Sequence, residues 1–165
     1  MPRRLEKFGL RLNTDKTKLL AFGKRHARHS FGTGQRPSTF DFLGLTHYWG
    51  RSRRGYVRLK RKTSKKRLRR SLVEVNLWLR QVRNTLKLPV LWQAIGRKMR
   101  GHFNYFGVSD NSPSLNCFEQ KIHELLFKWL NRRSQRRSFN WGSFQRYRTR
   151  HPLPRPGRIV SLFPS

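Results

Sequence analysis

Three apolar stripes with helical spacing constrain the fold of this chain most strongly. From Thr63 onward, large apolar side chains recur at intervals of four and three residues, the period that places them on one face of an α-helix. The stripes run through residues 68–86, 91–106 and 115–129. The connectors between them are short, so the sequence predicts three amphipathic helices packed as a small bundle over residues 63–135.

Residues that favour helix starts stand at the head of each stripe. Thr63 or Ser64 can cap the first helix, and Pro89 suits the first turn of the second. For the third helix, we expect Ser112 to be the cap and Pro113 to take the first helical position.

The sequence before the bundle predicts β-structure. Residues 18–22 form an apolar run of strand length, and residues 40–49 are rich in β-favouring aromatic side chains. Residues 51–55 predict a turn from which a strand returns at Tyr56, which gives a β-hairpin with an arginine-rich tip. Residues 24–39 are rich in Gly, Ser, Thr and Pro and predict an exposed loop.

Together these elements predict an α+β fold in which small β-strands and a hairpin precede a three-helix bundle and an irregular basic tail. The predicted domains are residues 1–62, 63–135 and 136–165. Within the last of these, we expect a short helix around residues 141–148. The prolines that follow His151 exclude a regular helix there.

The charge balance indicates a polyanionic partner. Lys and Arg number 39 against seven Asp and Glu, a net charge of +32 on 165 residues. Such a chain repels itself, whereas each phosphate that it neutralises releases counterions. An anionic membrane surface is the alternative, but the longest apolar runs are only two or three residues, and residues 1–4 open no signal peptide. Nucleic acid, and no membrane, is therefore the predicted partner.

Four basic clusters, interleaved with aromatic residues, are predicted to contact RNA. One run of charge is usually a solvated face, but four with few balancing acids favour phosphate binding, and arginine also stacks on bases. The predicted RNA-binding residues are Arg53, Arg54, Lys60, Arg61, Lys62, Lys65, Lys66, Arg69, Arg70, Arg97, Lys98, Arg100, His102, Arg132, Arg133, Arg136 and Arg137.

The aromatic residues divide into two predicted groups. Those on or beside the apolar stripes are expected in the core; they are Trp78, Phe103, Phe118 and Trp129. Those near the hairpin tip are candidates for stacking on bases; they are Tyr48, Trp49 and Tyr56.

The carboxylates show no pattern of a catalytic metal site. Chemistry on phosphates needs clustered carboxylates that hold Mg²⁺, and no two of the seven acids are neighbours in sequence. We expect them to form salt bridges with the surplus cations. The histidines lack the spacing of a zinc site, and Cys117 stands alone, which fits a reducing intracellular setting. The sequence predicts neither a metal nor a cofactor.

Several motifs resemble those of one family. Residues 8–18, followed by Phe22 and Gly23, resemble the late palm motif of bacterial group II intron reverse transcriptases. Residues 40–47 resemble the next motif, which in that family forms the hairpin that grips the primer. The segments similar to its thumb, also called the maturase-specific domain X, are 62–70, 100–107 and 128–136, and residues 152–159 resemble the family's ending.

The resemblance implies a maturase thumb with a remnant of the palm. The palm-motif positions are Lys16, Thr17, Phe42, Leu43 and Gly44. In a complete enzyme, Lys16 would lie near the incoming nucleotide. Family members carry a Tyr-Ala-Asp-Asp-type motif upstream, whose aspartates bind Mg²⁺, and this sequence begins after the matching point. We therefore expect no polymerase active site and no enzymatic activity.

The function that the resemblance implies is binding of structured group II intron RNA and assistance of its splicing, in the bacterial cytoplasm. One alternative is the C-terminal piece of a split reverse transcriptase. In that case a separate fingers–palm chain would supply the Mg²⁺ site, and the partners would include DNA or an RNA–DNA duplex. A third reading is a degenerate reading frame with no retained role.

Overall fold

The computed structural model describes residues 7–11, 13, 17–133, 139–157 and 160. In chain order, their elements are α1 (Lys24–Gly32), β1 (Phe40–Phe42), β2 (Leu45–Arg51), β3 (Val57–Thr63), α2 (Lys65–Val82), α3 (Leu88–Phe106), α4 (Ser112–Leu130) and α5 (Trp141–Arg150). The chain divides into two compact units, Met1–Thr39 with Trp49–Arg58, and Phe40–Tyr48 with Leu59–Ser165. The predicted α+β class is confirmed.

Helices α2, α3 and α4 pack around one apolar core, as the stripes predict. The central residues Leu79, Ile95 and Ile122 have almost no exposed surface. Trp129 reaches from α4 to α2, where its Nε1 donates a hydrogen bond to Asn76 Oδ1 over 2.8 Å. The aromatic residues predicted for the core divide as follows: Phe103, Phe118 and Trp129 are buried, and Trp78 is half-buried.

Helix α5, predicted as a short helix, adds a fourth element to this core. Asn140 caps it by accepting a hydrogen bond from the Ser143 N–H over 2.8 Å. Its Phe144 side chain is completely buried, and the Phe144 ring centroid lies 5.4 Å from that of Phe127 and 6.4 Å from that of Trp92. The basic segment from residue 141 therefore packs on the bundle with the Phe144 ring at the centre of the contact, and the Trp141 and Tyr147 rings contact Phe127 and Trp92 beside it.

The three strands form one sheet in the order β1-β2-β3. Residues 40–49 have the predicted strand character but form two strands: Phe42 pairs with Leu45, so the chain reverses between them, as the resemblance of residues 40–47 to a hairpin motif implies. Leu43 and Gly44 have φ angles of 49° and 77°. Positive φ at both central positions is the geometry of a two-residue hairpin turn. The predicted hairpin of β2 and β3 is confirmed.

Two predictions for the segment before β1 are wrong. Residues 18–22 form no strand: Leu19 is fully exposed, and the sheet of β1, β2 and β3 does not include this run. The predicted loop at 24–39 instead begins with helix α1. Ala27 and Ser30 lie buried on one face of α1, and the Gly and Pro residues that suggested a loop stand only from Gly32 onward.

The predicted helix starts are confirmed for α2 and α3 but not for α4. Ser64 caps α2 by accepting a hydrogen bond from the Arg67 N–H, and Pro89 lies in the first turn of α3. The expectation that Ser112 caps α4 is wrong. Asn111 holds the cap position, and Ser112 is the first helical residue. The Asn111 side chain makes no cap bond because it binds the end of β3 instead.

Candidate nucleic-acid interface

The turn between β1 and β2 is tied to the helices. Its Gly44 carbonyl accepts a hydrogen bond from the Ser64 N–H over 2.9 Å, and its Leu43 carbonyl accepts one from the Tyr105 hydroxyl over 3.1 Å. A Cβ atom on Gly44 would lie 3.3 Å from Arg67 Cγ. The palm-like positions 43 and 44 thus form a turn that packs against α2 and α3.

Beside this turn lies a groove of about 370 Å³ between α2 and α3, which we call the α2–α3 groove. Two cations line it, Arg67 from α2 and Lys98 from α3. The lining contains one carboxylate, that of Glu74. This carboxylate is already paired, because Glu74 Oε1 accepts a hydrogen bond from Arg70 Nε over 2.9 Å. Tyr105 borders the groove with 58% of its surface exposed. The groove therefore presents positive charge beside an accessible aromatic ring.

His102 forms part of the floor of the α2–α3 groove. Its ring stacks on Phe118, with centroids 3.7 Å apart and planes 12° apart. Burial, and secondarily the charge of Arg67, lowers the pKa of His102 to about 4. The ring is therefore neutral at pH 7, and its buried Nε2 has no hydrogen-bond partner among the described residues. His102 contributes no positive charge to the groove, and its Nε2 is not accessible to a ligand.

Helix α3 divides its predicted basic residues between two faces. Lys98 lines the α2–α3 groove, where its Nζ lies 4.9 Å from the centroid of the Trp78 ring. Arg97 and Arg100 line a second groove, of about 360 Å³, whose other wall is the segment that follows α5. That segment packs on α3 at Gly96, where a Cβ would make an ordinary contact of 3.5 Å with Pro154 Cδ.

The predicted basic residues of α2 also lie on different faces of the helix. Lys65 and Arg69 lie on the rim of a third groove, of about 470 Å³, between α2 and α4. The floor of this α2–α4 groove is apolar, and Leu68, Leu72 and Leu125 line it. Of the remaining two predicted contacts on this helix, Lys66 is exposed and Arg70 pairs with Glu74.

Residues 66–148 match the family model described as Group II intron, maturase-specific domain. The matched range includes nearly all of α2, all of α3 and α4 and most of α5, and with them both cations of the α2–α3 groove. The chain belongs to this family. Neither the curated proteins nor the solved structures gave a match to the chain.

The family assignment confirms that the chain is related to group II intron maturases, while the palm-like motifs at residues 8–23 and 40–47 lie outside the matched range. The maturase-specific domain is the one associated with splicing of these introns. No helix in the described part of the chain combines the length and the apolar character that a bilayer span requires. Likewise, the described His, Cys, Asp and Glu residues form no group of three that could hold a metal ion.

Other predicted contacts lie around the maturase-specific domain. On β3, Lys60 and Arg61 are half-buried and Lys62 is exposed, with its Nζ 5.0 Å from the centroid of the Tyr48 ring. After α4, Arg132 is exposed and stacks over Trp129. The neighbouring Arg133 has a structural role, since its Nη2 donates a hydrogen bond to the Leu86 carbonyl over 2.6 Å.

The remaining predicted positions lie in the unit of residues 1–39 and 49–58, at the β1–β2 turn, or outside the described residues. Arg53 and Arg54 are exposed at the hairpin tip. The Thr17 hydroxyl donates a hydrogen bond to the Asn13 carbonyl over 2.7 Å, and the exposed Phe42 precedes the β1–β2 turn. The positions outside the described residues are Lys16, Arg136 and Arg137.

The candidates for base stacking differ in accessibility. Tyr56 is 70% exposed at the hairpin tip. Lys62 covers one side of Tyr48, and the Phe22 ring packs against Trp49 with centroids 5.5 Å apart. Tyr56 therefore presents its ring to solvent more fully than the other two do.

Sequence reasoning missed two residues of the α2–α3 groove, Arg67 and Tyr105. Arg67 lies on the same helical face as Ser71 and Glu74, four and seven positions later, and this spacing was a readable signal. Tyr105 lies between the buried Phe103 and Phe106 of α3, which gives no sign that the β1–β2 turn binds its hydroxyl. Its place beside the groove depends on a contact across 62 positions of sequence.

Proposed function

We propose that this chain binds group II intron RNA through the grooves of its maturase-specific domain and thereby assists splicing of that RNA. The α2–α3 groove is the observation that supports the proposal best. Arg67 and Lys98 would contact phosphates, whose neutralisation releases counterions. The exposed ring of Tyr105 would stack on an unpaired base, the part of a structured RNA that proteins read most readily.

The division of the basic residues among separate faces suggests how binding would assist splicing. RNA segments repel one another when they approach, and cations between them lower that repulsion. The α2–α3 groove, the α2–α4 groove and the face of Arg97 and Arg100 each present cations. One rigid bundle would therefore hold two or three RNA segments at fixed separations and favour the compact, splicing-competent fold.

We further propose that the chain acts by binding and has no polymerase activity of its own. Two of its carboxylates already have partners within the bundle. Glu74 pairs with Arg70, and Glu124 accepts a hydrogen bond from Lys121 over 2.8 Å. Incubation of the purified chain with primer, template, nucleotides and Mg²⁺ should give no extension, and an extended primer would contradict this part of the proposal.

The binding proposal is tested with a group II intron RNA and bulk tRNA over a range of salt concentrations. The full chain should prefer the intron RNA. The double variant Arg67→Ala/Lys98→Ala should lose about a hundredfold or more in affinity, since hydrogen bonds to charged groups contribute about 1.5–3 kcal/mol each. The slope of log K against log salt should fall by about 1.5 to 2 for the loss of two phosphate contacts.

A matched control removes the same charge outside the grooves. Arg80→Ala/Lys87→Ala changes two exposed cations, at the end of α2 and just before α3, and should keep the preference for intron RNA. Assistance of splicing is tested at limiting Mg²⁺, where the yield of ligated exons is measured with and without the protein. Equal affinity for intron RNA and tRNA, or equal yields with and without protein, would contradict the proposal.

A further inference from the structure

Helix α1 lies outside the range matched to the family and carries an exposed basic face. Its residues Lys24, Arg25 and Arg28 are all exposed. Separations of three and four positions place Arg28 beside both of the others on one side of the helix. The first turn holds no acidic residue, and the buried face contains only Ala27 and Ser30. The apolar face of α1 is therefore small, and its charged face is its main feature.

The hairpin tip packs on α1 within the same unit. The Arg51 guanidinium carbon of β2 lies 5.4 Å from the centroid of the Phe31 ring of α1. Two backbone hydrogen bonds close the turn beyond it, from Ser52 to Tyr56 over 2.8 Å and from Gly55 to Ser52 over 3.0 Å. This turn presents Arg53 and Arg54 to solvent, together with the exposed Tyr56 ring.

The fold thus brings together two basic stretches that lie more than twenty positions apart in sequence. No Asp or Glu occurs between Asp15 and Asp41, or between Asp41 and Glu74, so neither stretch contains a carboxylate. The Phe31–Arg51 contact and the Phe22–Trp49 ring contact hold the two stretches together. Placing like charges together costs free energy. A polyanion would relieve the repulsion, because each phosphate neutralises one of the cations.

Two features favour RNA over an anionic membrane as this polyanion. A helix that lies on a membrane needs a broad apolar face, and the buried side of α1 has Ala27 and Ser30. Tyr56 supplies a ring on which an unstacked base can pack, and bases are unstacked in single-stranded RNA.

We infer that α1 and the turn at residues 52–56 form a second RNA-binding surface, which takes single-stranded RNA. Lys24, Arg25 and Arg28 contact phosphates together with the arginines of the turn, and Tyr56 stacks on an unpaired base. This surface goes beyond the proposed function, since it belongs to the unit of residues 1–39 and 49–58 and not to the maturase-specific domain.

The experiment measures binding of the full chain to a fluorescent oligouridine and to an RNA duplex of equal length at several salt concentrations. Lys24→Ala/Arg25→Ala/Arg28→Ala should lower the salt slope for oligouridine by about 2, because single strands contribute about 0.7 per phosphate contact. Tyr56→Ala should weaken oligouridine binding about 5- to 100-fold and leave duplex binding unchanged, since only unpaired bases can stack on the ring.

A charge-retaining control separates phosphate binding from a folding defect. Lys24→Arg/Arg25→Lys/Arg28→Lys keeps all three charges and should keep the wild-type slope, and circular dichroism should show equal helix content in all variants. An unchanged slope in the alanine variant would overturn the inference. So would a loss of binding to vesicles of phosphatidylglycerol and phosphatidylcholine with unchanged RNA binding, which would indicate a membrane surface instead.

The experiments distinguish a failure of the second RNA-binding surface from a failure of the proposed function. If only the second surface is wrong, the α1 variant binds oligouridine like the wild type while Arg67→Ala/Lys98→Ala still loses intron RNA. If only the proposed function is wrong, the α1 variant shows its reduced slope although the chain binds intron RNA and tRNA equally.

Discussion

The side chain of Asn111 joins the end of β3 to the end of α3 through Thr63. Asn111 Oδ1 accepts a hydrogen bond from the Thr63 N–H over 2.7 Å, and Nδ2 donates one to the Phe106 carbonyl over 2.8 Å. Asn111 is completely buried. One amide therefore satisfies a strand end and a helix end at once, and it holds the start of α2 in place beside them.

Asn111→Ala should lower the free energy of unfolding by about 2 to 3 kcal/mol, because it leaves a buried N–H and a buried carbonyl without partners. Urea denaturation followed by circular dichroism measures the change. Asn116→Ala, at an exposed position of α4, is the control and should stay within about 0.5 kcal/mol of the wild type. Equal stability of the two variants would contradict a structural role for the Asn111 amide.

Gly44→Ala should be more destabilising than Gly55→Ala. Both glycines have positive φ, 77° and 81°, so alanine costs about 1 to 2 kcal/mol of backbone strain at either position. Only at Gly44 would the new Cβ also meet side chains, Arg67 Cγ at 3.3 Å and Phe106 at 3.4 Å. Thermal unfolding ranks the two variants, and a larger loss for Gly55→Ala would contradict the packed position of the β1–β2 turn.

Acidification should destabilise the maturase-specific domain through His102 and His123. Burial lowers the pKa of each to about 4 from the ordinary 6.5, with smaller contributions from Arg67 for His102 and from Arg148 and Arg155 for His123. Between pH 6.5 and 4, the unfolded chain binds protons that the folded chain does not. The contribution of these histidines to the free energy of unfolding is therefore fully present above pH 6.5. It is lost as the pH falls toward 4, by roughly 2 to 3 kcal/mol per histidine.

His102→Phe removes one of these two contributions while a ring still stacks on Phe118. The difference in the free energy of unfolding between pH 7 and pH 4 should shrink by about 2 kcal/mol in this variant. Urea denaturation at several pH values measures it. A pH dependence parallel to that of the wild type would show that His102 does not titrate as its burial implies.

Tyr105 should affect stability and RNA binding through different atoms. Tyr105→Phe removes only the hydroxyl bond to the Leu43 carbonyl, which should cost about 1 kcal/mol of stability and leave RNA affinity unchanged. Tyr105→Ala also removes the exposed ring and should weaken binding of intron RNA about 5-fold or more. Equal RNA affinity of the Phe and Ala variants would exclude stacking on this ring.

The helical bundle was readable from the sequence because its signal is local. Each stripe, from Leu68, Leu91 and Leu115 onward, repeats within a few residues, and burial of such a stripe requires only that another apolar face be available. The basic clusters and the family motifs were readable for the same reason. Two of the expectations stay predictions. They are the domain limits at residues 62 and 135 and the individual RNA contacts.

The features that the sequence did not predict depend on distant partners. Residues 24–32 form a helix whose Phe31 packs beneath Arg51, and residues 43 and 44 form a turn bound by Tyr105 and Ser64. The Asn111 side chain at the start of α4 binds Thr63 and makes no cap bond, because a buried N–H there required an acceptor.

By itself, the sequence determined a basic, α+β chain with an amphipathic bundle, since composition and periodicity are properties of neighbouring residues. The maturase-specific domain followed from the resemblance of its motifs and from the family match. Only the tertiary structure decided which cations share a groove. Lys98 lies with Arg67, and Arg97 lies with the segment after α5, although Arg97 and Lys98 are adjacent in sequence. Successive residues of a helix point about 100° apart, so the neighbouring elements determine where each charge acts.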